Sequence, residues 1–455
     1  MSLKIYLGSR KDRLPIMGIN AYVLITLFLY IFGPIRFHSE YSILMIMYMI
    51  LFLIIINIAY FMAIRKVRLE AIRFKNIDVS SNIENTNRPL PFWFQMFGLL
   101  IPVFMIASSI ALTGFSHLQG SISNTMAQSY TFTQSGGTYQ QGIDIPMWIY
   151  MHLAVFVYLS IIDGVIYFRE LSLLRKSIWI GTIFCLLGYF VLFKGTQKTL
   201  GDIFILIASS MLINTYLNRK NKKRTKKKST IVLLIIVVII FSNILASIMG
   251  ERIAYLGSVG FNAFRISTEF WDVDLSSPLL LLFPESSRLG YACLIFYLCN
   301  GLCGLSYCLA SPLTWSFGLG SIPDLAGIIG RRIGIDVFKT TYVYEAYQIY
   351  GWHHSEQWHT IFPWIASDWT FIGALFIMGI VAYIYAICWE EILQGKNKES
   401  IYMFCILNII WLYLPANNQI MSTRITALIF VICTYMWIRR KRDVRKKIFF
   451  YEQKR

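Results

Sequence analysis

YSILMIMYMILFLIIINIAYFMAIRKVRLEAIRFK, Tyr41–Lys75, decides the fold. Its first 24 residues, Tyr41–Ile64, carry no charge. At about 1.5 Å per residue, a helix of that length crosses the roughly 30 Å hydrocarbon core of a bilayer. In lipid the backbone must satisfy its own polar groups, so a run of this kind is read as a membrane-spanning helix. Where the apolar run stops, the chain turns basic at once, RKVRLEAIRFK.

The pattern recurs outward from this stretch. The chain has 455 residues, 56% of them hydrophobic and only 15% charged, against about 25% charged in soluble domains. Apolar runs fall at 14–35, 41–64, 91–114, 145–168, 178–194, 202–217, 231–249, 371–389, 400–415 and 422–438. The expected fold is an all-α polytopic membrane protein with about ten transmembrane helices. Twelve follow if the apolar segment near 289–323 is crossed twice. RKVRLEAIRFK follows the second run, RELSLLRK the fourth, NRKNKKRTKKK the sixth and RRKRDVRKK the last, whereas the segment after the third run has no Lys or Arg. Lys and Arg collect in cytoplasmic loops, which predicts both termini in the cytoplasm.

The net charge of +18 is thus explained by topology and contact with anionic membrane lipids, and no nucleic-acid partner is expected. The basic, polar N-terminus leads into a full-length apolar run without a small-residue cleavage site, so removal of a leader is not expected. The eight cysteines form no C-x-x-C pair and read as small buried hydrophobes rather than metal ligands.

The expected organisation is a membrane bundle of about seven spans over 1–249, a large periplasmic loop over 250–370, further spans over 371–438 and a basic cytoplasmic tail over 439–455. A connector of about 120 residues is far longer than passive loops need to be, so function is expected in it. An embedded helix near 289–310, re-entrant or lying at the membrane surface, is predicted within it.

Three groups of residues in and around this loop carry chemistry. The first is cationic: Arg252, Arg265, Arg288, Arg331 and Arg332 lie on the side where topology selects against Arg, and Lys194, Lys198 and Arg424 mark neighbouring membrane edges. A planar, permanently charged guanidinium suits phosphate oxygens, which points to a diphosphate site; solvated loop charge is the plainer reading of any one of them.

The second group is aromatic. YGWHHSEQWHTIFPWIASDW, Tyr350–Trp369, with Trp352 and Trp358, could stack on sugar rings, although Trp and Tyr also gather at membrane interfaces for their own reasons. The third is titratable. His353, His354, Glu345, Glu356 and Asp368 are candidates for a general base, set against simple interfacial histidines. The stretch H-H-S-E-Q-W-H does not give the H-E-x-x-H spacing of a zinc protease, and no metal is expected. No phosphate loop or dinucleotide fingerprint occurs, so a reaction outside the cytoplasm must use an already activated substrate.

Two blocks and a shorter stretch carry a family resemblance. FYLCNGLCGLSYCLASPLTWSFGLGS, Phe296–Ser321, is similar to a block in Wzy-type O-antigen polymerases at Tyr297, Gly301, Gly304, Leu305, Ser306, Pro312, Gly318 and Gly320. WHTIFPWIASDWTFIGALFIMGIVAYIY, Trp358–Tyr385, resembles the family's later pattern at Thr360, Asp368, Trp369, Gly373 and Gly379. GTQKTLGD, Gly195–Asp202, resembles a third.

The resemblance implies an enzyme of the bacterial inner membrane. It would join oligosaccharide repeat units carried on undecaprenyl diphosphate at the periplasmic face, without cofactor. Arginines would bind the departing diphosphate, a His or carboxylate would take the acceptor's proton, and aromatics such as Tyr297 would guide the substrate. A chain-length regulator and a flippase are the protein partners such an enzyme would work beside. The alternatives are an O-antigen ligase, which transfers the finished glycan to lipid A–core, and a lipid-linked oligosaccharide flippase or other transporter.

Overall fold

The computed structural model describes residues 11–453 apart from 74–87, 115–123, 127, 131–143, 218–235, 237–238, 241, 252, 254–263, 354–355 and 396. The chain is an all-α multi-pass membrane protein. Its helices are α1 (Leu14–Phe32), α2 (Ser42–Arg73), α3 (Phe92–Thr113), α4 (Ile145–Ile166), α5 (Leu173–Tyr189, continued by a π turn Phe190–Lys194) and α6 (Lys198–Leu217). A single turn, α7 (Pro278–Leu281), precedes α8 (Glu285–Ala310), α9 (Pro323–Ile333), a 3-10 turn (Val337–Thr340) and α10 (Tyr342–Tyr350). The chain closes with α11 (Ile361–Leu393), α12 (Lys398–Leu412) and α13 (Arg424–Gln453).

Among the described residues eight helices are long and apolar enough to cross a membrane: α1 to α6, α8 and α11. The difference from ten has local causes. The run at 231–249 is described only in part: 231–235, 237–238 and 241 lie outside the described residues, while 236, 239–240 and 242–251 are helical. Helix α12 has only 15 residues, short of the 17 or so a crossing needs. Helix α13 has an apolar half followed by RRKRDVRKK. The helix expected near 289–310 is α8, 26 residues long and itself of spanning length, with 78% of its most apolar window buried.

Two compact units are built from interleaved segments, Met1–Ile25 with Glu40–Arg88 and Asn300–Arg455, and Thr26–Ser39 with Pro89–Cys299. In the second unit α3 packs on α4 and α5, and α4 on α6. The in-span acid Asp163 is fully buried there and anchors the entry to α3, accepting from Leu90 N at 2.8 Å and from Gln95 Nε2 at 3.5 Å. Two short antiparallel strands, β1 (Ile35–Phe37) and β2 (Trp271–Val273), pair Arg36 with Asp272. Phe37 and Trp271 on these strands pack against Phe296 of α8.

In the first unit α11 runs along α2 and then turns back into α12 and α13. Phe362 meets Tyr48 and Phe52 edge-on at 5.1 and 5.0 Å. The acidic ends of the hairpin hold α13 through Lys441 on Glu391 and Arg440 on Glu399. The basic start of the tail is therefore partly neutralised by helix packing.

Candidate functional site

The stretch Tyr350–Trp369 does three different jobs, and most of them are architectural. Its first aromatics form a packed cluster. Tyr350 stacks on Tyr307 at 5.2 Å and meets Tyr41 edge-on at 5.6 Å. Burial, with a smaller contribution from the Tyr41 hydroxyl, pushes the Tyr350 phenol up to about 12, so it acts as a neutral hydrogen-bond donor, to Ala310 O at 3.3 Å. Burial also raises the Tyr342 phenol. Trp352 is fully buried and donates to Trp358 O at 3.1 Å; it is a core side chain rather than an open sugar platform. His359 is fully buried too, with its backbone clamped by Asn417, whose Oδ1 accepts from His359 N at 2.8 Å.

The last residues of the stretch are helical: α11 starts at Ile361, earlier than the apolar run at 371–389, and breaks at Thr370. Thr370 has φ 63° and ψ 166°, backbone space normally reserved for glycine. The break is held from both sides. Thr370 Oγ1 accepts from Gly373 N at 3.3 Å, capping the second half of the helix. Ser367 O, released from its helical donor, accepts from Ser316 N at 2.8 Å.

At the break Asp368 faces the loop SFGLGS. Its Oδ1 accepts from Gly318 N and Gly320 N at 3.0 and 3.1 Å, and its Oδ2 from Ser321 N at 2.6 Å. A carboxylate engaged by three backbone donors positions a loop and is badly placed to collect a substrate proton. Asp368→Asn turns an N–H₂ toward at least one of those donors. The expected result is a loss of about 1–3 kcal/mol, measured as a lower melting temperature in detergent, with new proteolytic cleavage in 311–321. Wild-type melting and cleavage would contradict this role.

That loop forms one wall of a cavity of about 530 Å³, which also takes in Arg331, Asp336, Phe338 and Trp364. The turn after α9 explains how charges reach it. Gly334, at φ 70°, ends α9 in the left-handed conformation, which side chains with a Cβ resist. Ile335 N then returns to Gly330 O at 3.2 Å, bringing Asp336 beside the helix that carries Arg331. Arg331 and Arg332 are exposed, and among the described residues neither pairs with an acid.

Other predicted cations are already engaged. Arg424 pairs with Asp324 at 3.3 Å. In the second unit Lys198 Nζ lies 3.0 Å from Asp202, which also accepts from Tyr158 at 2.8 Å, and Lys194 pairs with Asp144. Arg288 donates to Phe283 O at 3.2 Å. Arg265 is exposed and Tyr297 half-buried in that same unit.

Compared with known proteins, the chain matches no family model, no curated protein and no solved structure. The site is therefore read from its own geometry. Glu345 lies on α10 one helical turn after Thr341, a cavity residue, and is half-buried. His353 is half-buried against the Tyr347 ring at 4.7 Å; neither it nor Glu345 lines the cavity. Glu356 is exposed and Trp358 half-buried. Arg252 and His354 lie outside the described residues. Asp336 escapes the sequence reading because its neighbourhood depends on the Gly334 turn; the signal was the short run RRIGID, in which a glycine separates two cations from one acid.

Proposed function

We propose that this chain is a glycosyltransferase that polymerises undecaprenyl-diphosphate-linked oligosaccharide repeat units into an O-antigen-type polysaccharide at the periplasmic face of the bacterial inner membrane. The observation that carries the reading is Arg331, which lines the cavity while no acid among the described residues neutralises it. Its wall is held by Asp368 in one of the two polymerase-like blocks and formed by Gly320 in the other. Preorganised cationic donors beside a departing diphosphate stabilise charge that develops only in the transition state. Arg332 follows Arg331 on the same last turn of α9. The lipid diphosphate is itself the activated leaving group, so no other energy source is required.

The test is a lipopolysaccharide gel from the native host with this gene deleted. Core bearing one repeat unit, without a ladder, is the expected result. Bare core with long glycan left on the carrier supports the ligase instead. Single units trapped on the carrier inside the cell support a flippase. An unchanged ladder removes the reading.

A further inference from the structure

We propose that the cavity beside α9 is the acceptor-sugar subsite and that Asp336 takes the proton of the attacking hydroxyl. This deepens the polymerase reading and rests on it. The cavity, at about 530 Å³, is within the roughly 300–1,000 Å³ of small-molecule sites. One wall is aromatic, with the rings of Phe338 and Trp364 6.0 Å apart and inclined at 44°. On α9 the cavity is lined by Ala326, Gly327 and Gly330, which carry little or no side chain. A flat, mixed-polarity ring such as a pyranose fits between an aromatic wall and a smooth helix face: its C–H side packs on the rings and its hydroxyls turn to the polar rim.

That rim carries opposite charges from one turn of chain. Arg331 extends over Gly327, where an added Cβ would lie 3.6 Å from its guanidinium. Asp336 caps the 3-10 turn, its Oδ1 accepting from Phe338 N at 3.2 Å. Among the described residues its Oδ2 has no hydrogen-bond partner, in contrast to Asp368, whose two oxygens are both engaged. A carboxylate with one oxygen anchored and the other open is oriented to receive a proton.

The step balances within the two substrates and this group. The acceptor's hydroxyl oxygen bonds to the donor's anomeric carbon as its proton passes to Asp336 Oδ2. The bond from that carbon to the phosphate oxygen breaks, and its electron pair leaves with the lipid diphosphate toward Arg331. Asp336 then releases the proton to water.

The test uses the full-length protein in detergent with repeat units isolated on undecaprenyl diphosphate from the deletion host. Asp336→Asn retains an acceptor for Phe338 N and removes the base; Asp336→Ala leaves room for a small carboxylate. Both variants are expected to lose about 10²-fold in kcat, with KM and melting temperature within about twofold and a few degrees of wild type. Added formate is expected to restore Asp336→Ala at least about tenfold and to leave Asp336→Asn unchanged, a response that a purely structural aspartate does not give. If wild type elongates the units and Asp336→Asn retains its kcat, or formate restores nothing, the inference is overturned while the polymerase reading stands. If wild type itself elongates nothing, the polymerase reading falls and this inference with it.

Discussion

Replacing Arg331 and Arg332 together by Ala is expected to lower repeat-unit transfer by at least about 10³-fold while leaving the protein folded. The magnitude follows from what they would do. A cation facing a departing phosphate contributes about 10³–10⁵ in rate where its effect has been isolated in other phosphoryl chemistry, and one lost oxyanion donor costs about 10²–10³. The preserved fold follows from their surroundings. Both are exposed, and no acid among the described residues depends on them for neutralisation.

The contrast with other cations sharpens the test. Lys198→Ala leaves Asp202, which is only 1% exposed, with Tyr158 as its remaining neutral partner, and removing one member of a buried pair is strongly destabilising. Arg424→Ala also removes a partner, from Asp324, but both side chains of that pair are partly exposed, and such a pair contributes only about 0–1 kcal/mol. Lys198→Ala is therefore expected to show first as lowered melting temperature and yield, and Arg424→Ala as a smaller shift. The arginine pair should instead show as lost kcat/KM at unchanged melting temperature, in the assay with isolated lipid-linked units. An arginine-free α9 that polymerises at the wild-type rate would place the diphosphate elsewhere. Arg265 of the second unit, also exposed and unpaired with any acid among the described residues, would then be the next cation to remove.

The membrane helices were legible because hydropathy over about 20 residues is a strong signal that tertiary contacts do not overrule. Tyr41–Ile64 reads as a span in sequence, and all of it after Tyr41 lies in α2. The loop of the candidate site was legible in outline only. Ile361–Trp369 falls, by sequence, inside the expected periplasmic loop of 250–370, and it forms the first nine residues of α11, ahead of the break. The break that follows falls at a threonine, where no Gly or Pro announces it. The role of Asp368 depends on that break, since only there does a carboxylate face three backbone donors of a loop some 50 residues earlier in sequence. Arg331 stood out because the charge pattern of the loops predicts it on the side where cations are disfavoured. Asp336 did not, because nothing local distinguishes an acid in a 3-10 turn from one lining a cavity.

Gly301→Ala is expected to prevent accumulation of folded protein, and the reason links the first polymerase-like block to the cavity. A Cβ on Gly301 would overlap the carbonyl oxygen of Pro415 and come within 3.2 Å of the His359 carbonyl carbon. Both obstacles are backbone, so no side-chain rotamer can relieve them. One helical turn on, a Cβ at Gly304 would lie 2.5 Å from Trp358 O. Helix α8 therefore presents a bare strip against which the 358–359 and 415–418 segments are laid directly.

These segments also lock other parts of the unit. Asn417 holds His359, and Asn418 Nδ2 donates to Ser321 O at 2.9 Å, next to the residues that Asp368 holds. Any shift of Pro415 to admit a methyl group is thus passed on to the cavity wall. Overpacking a well-filled core by a methylene costs about 1–3 kcal/mol, and a backbone collision belongs at or beyond the upper end of that range. Gly18→Ala is the matched control: a Cβ there has no neighbour within 4 Å, and Ala in a helix interior gains about 1 kcal/mol over Gly. Membrane yield and melting temperature of the two variants should therefore move in opposite directions. If Gly301→Ala accumulates and melts with wild type, α8 and the Pro415 segment do not approach so closely, and the glycines of the block need another explanation.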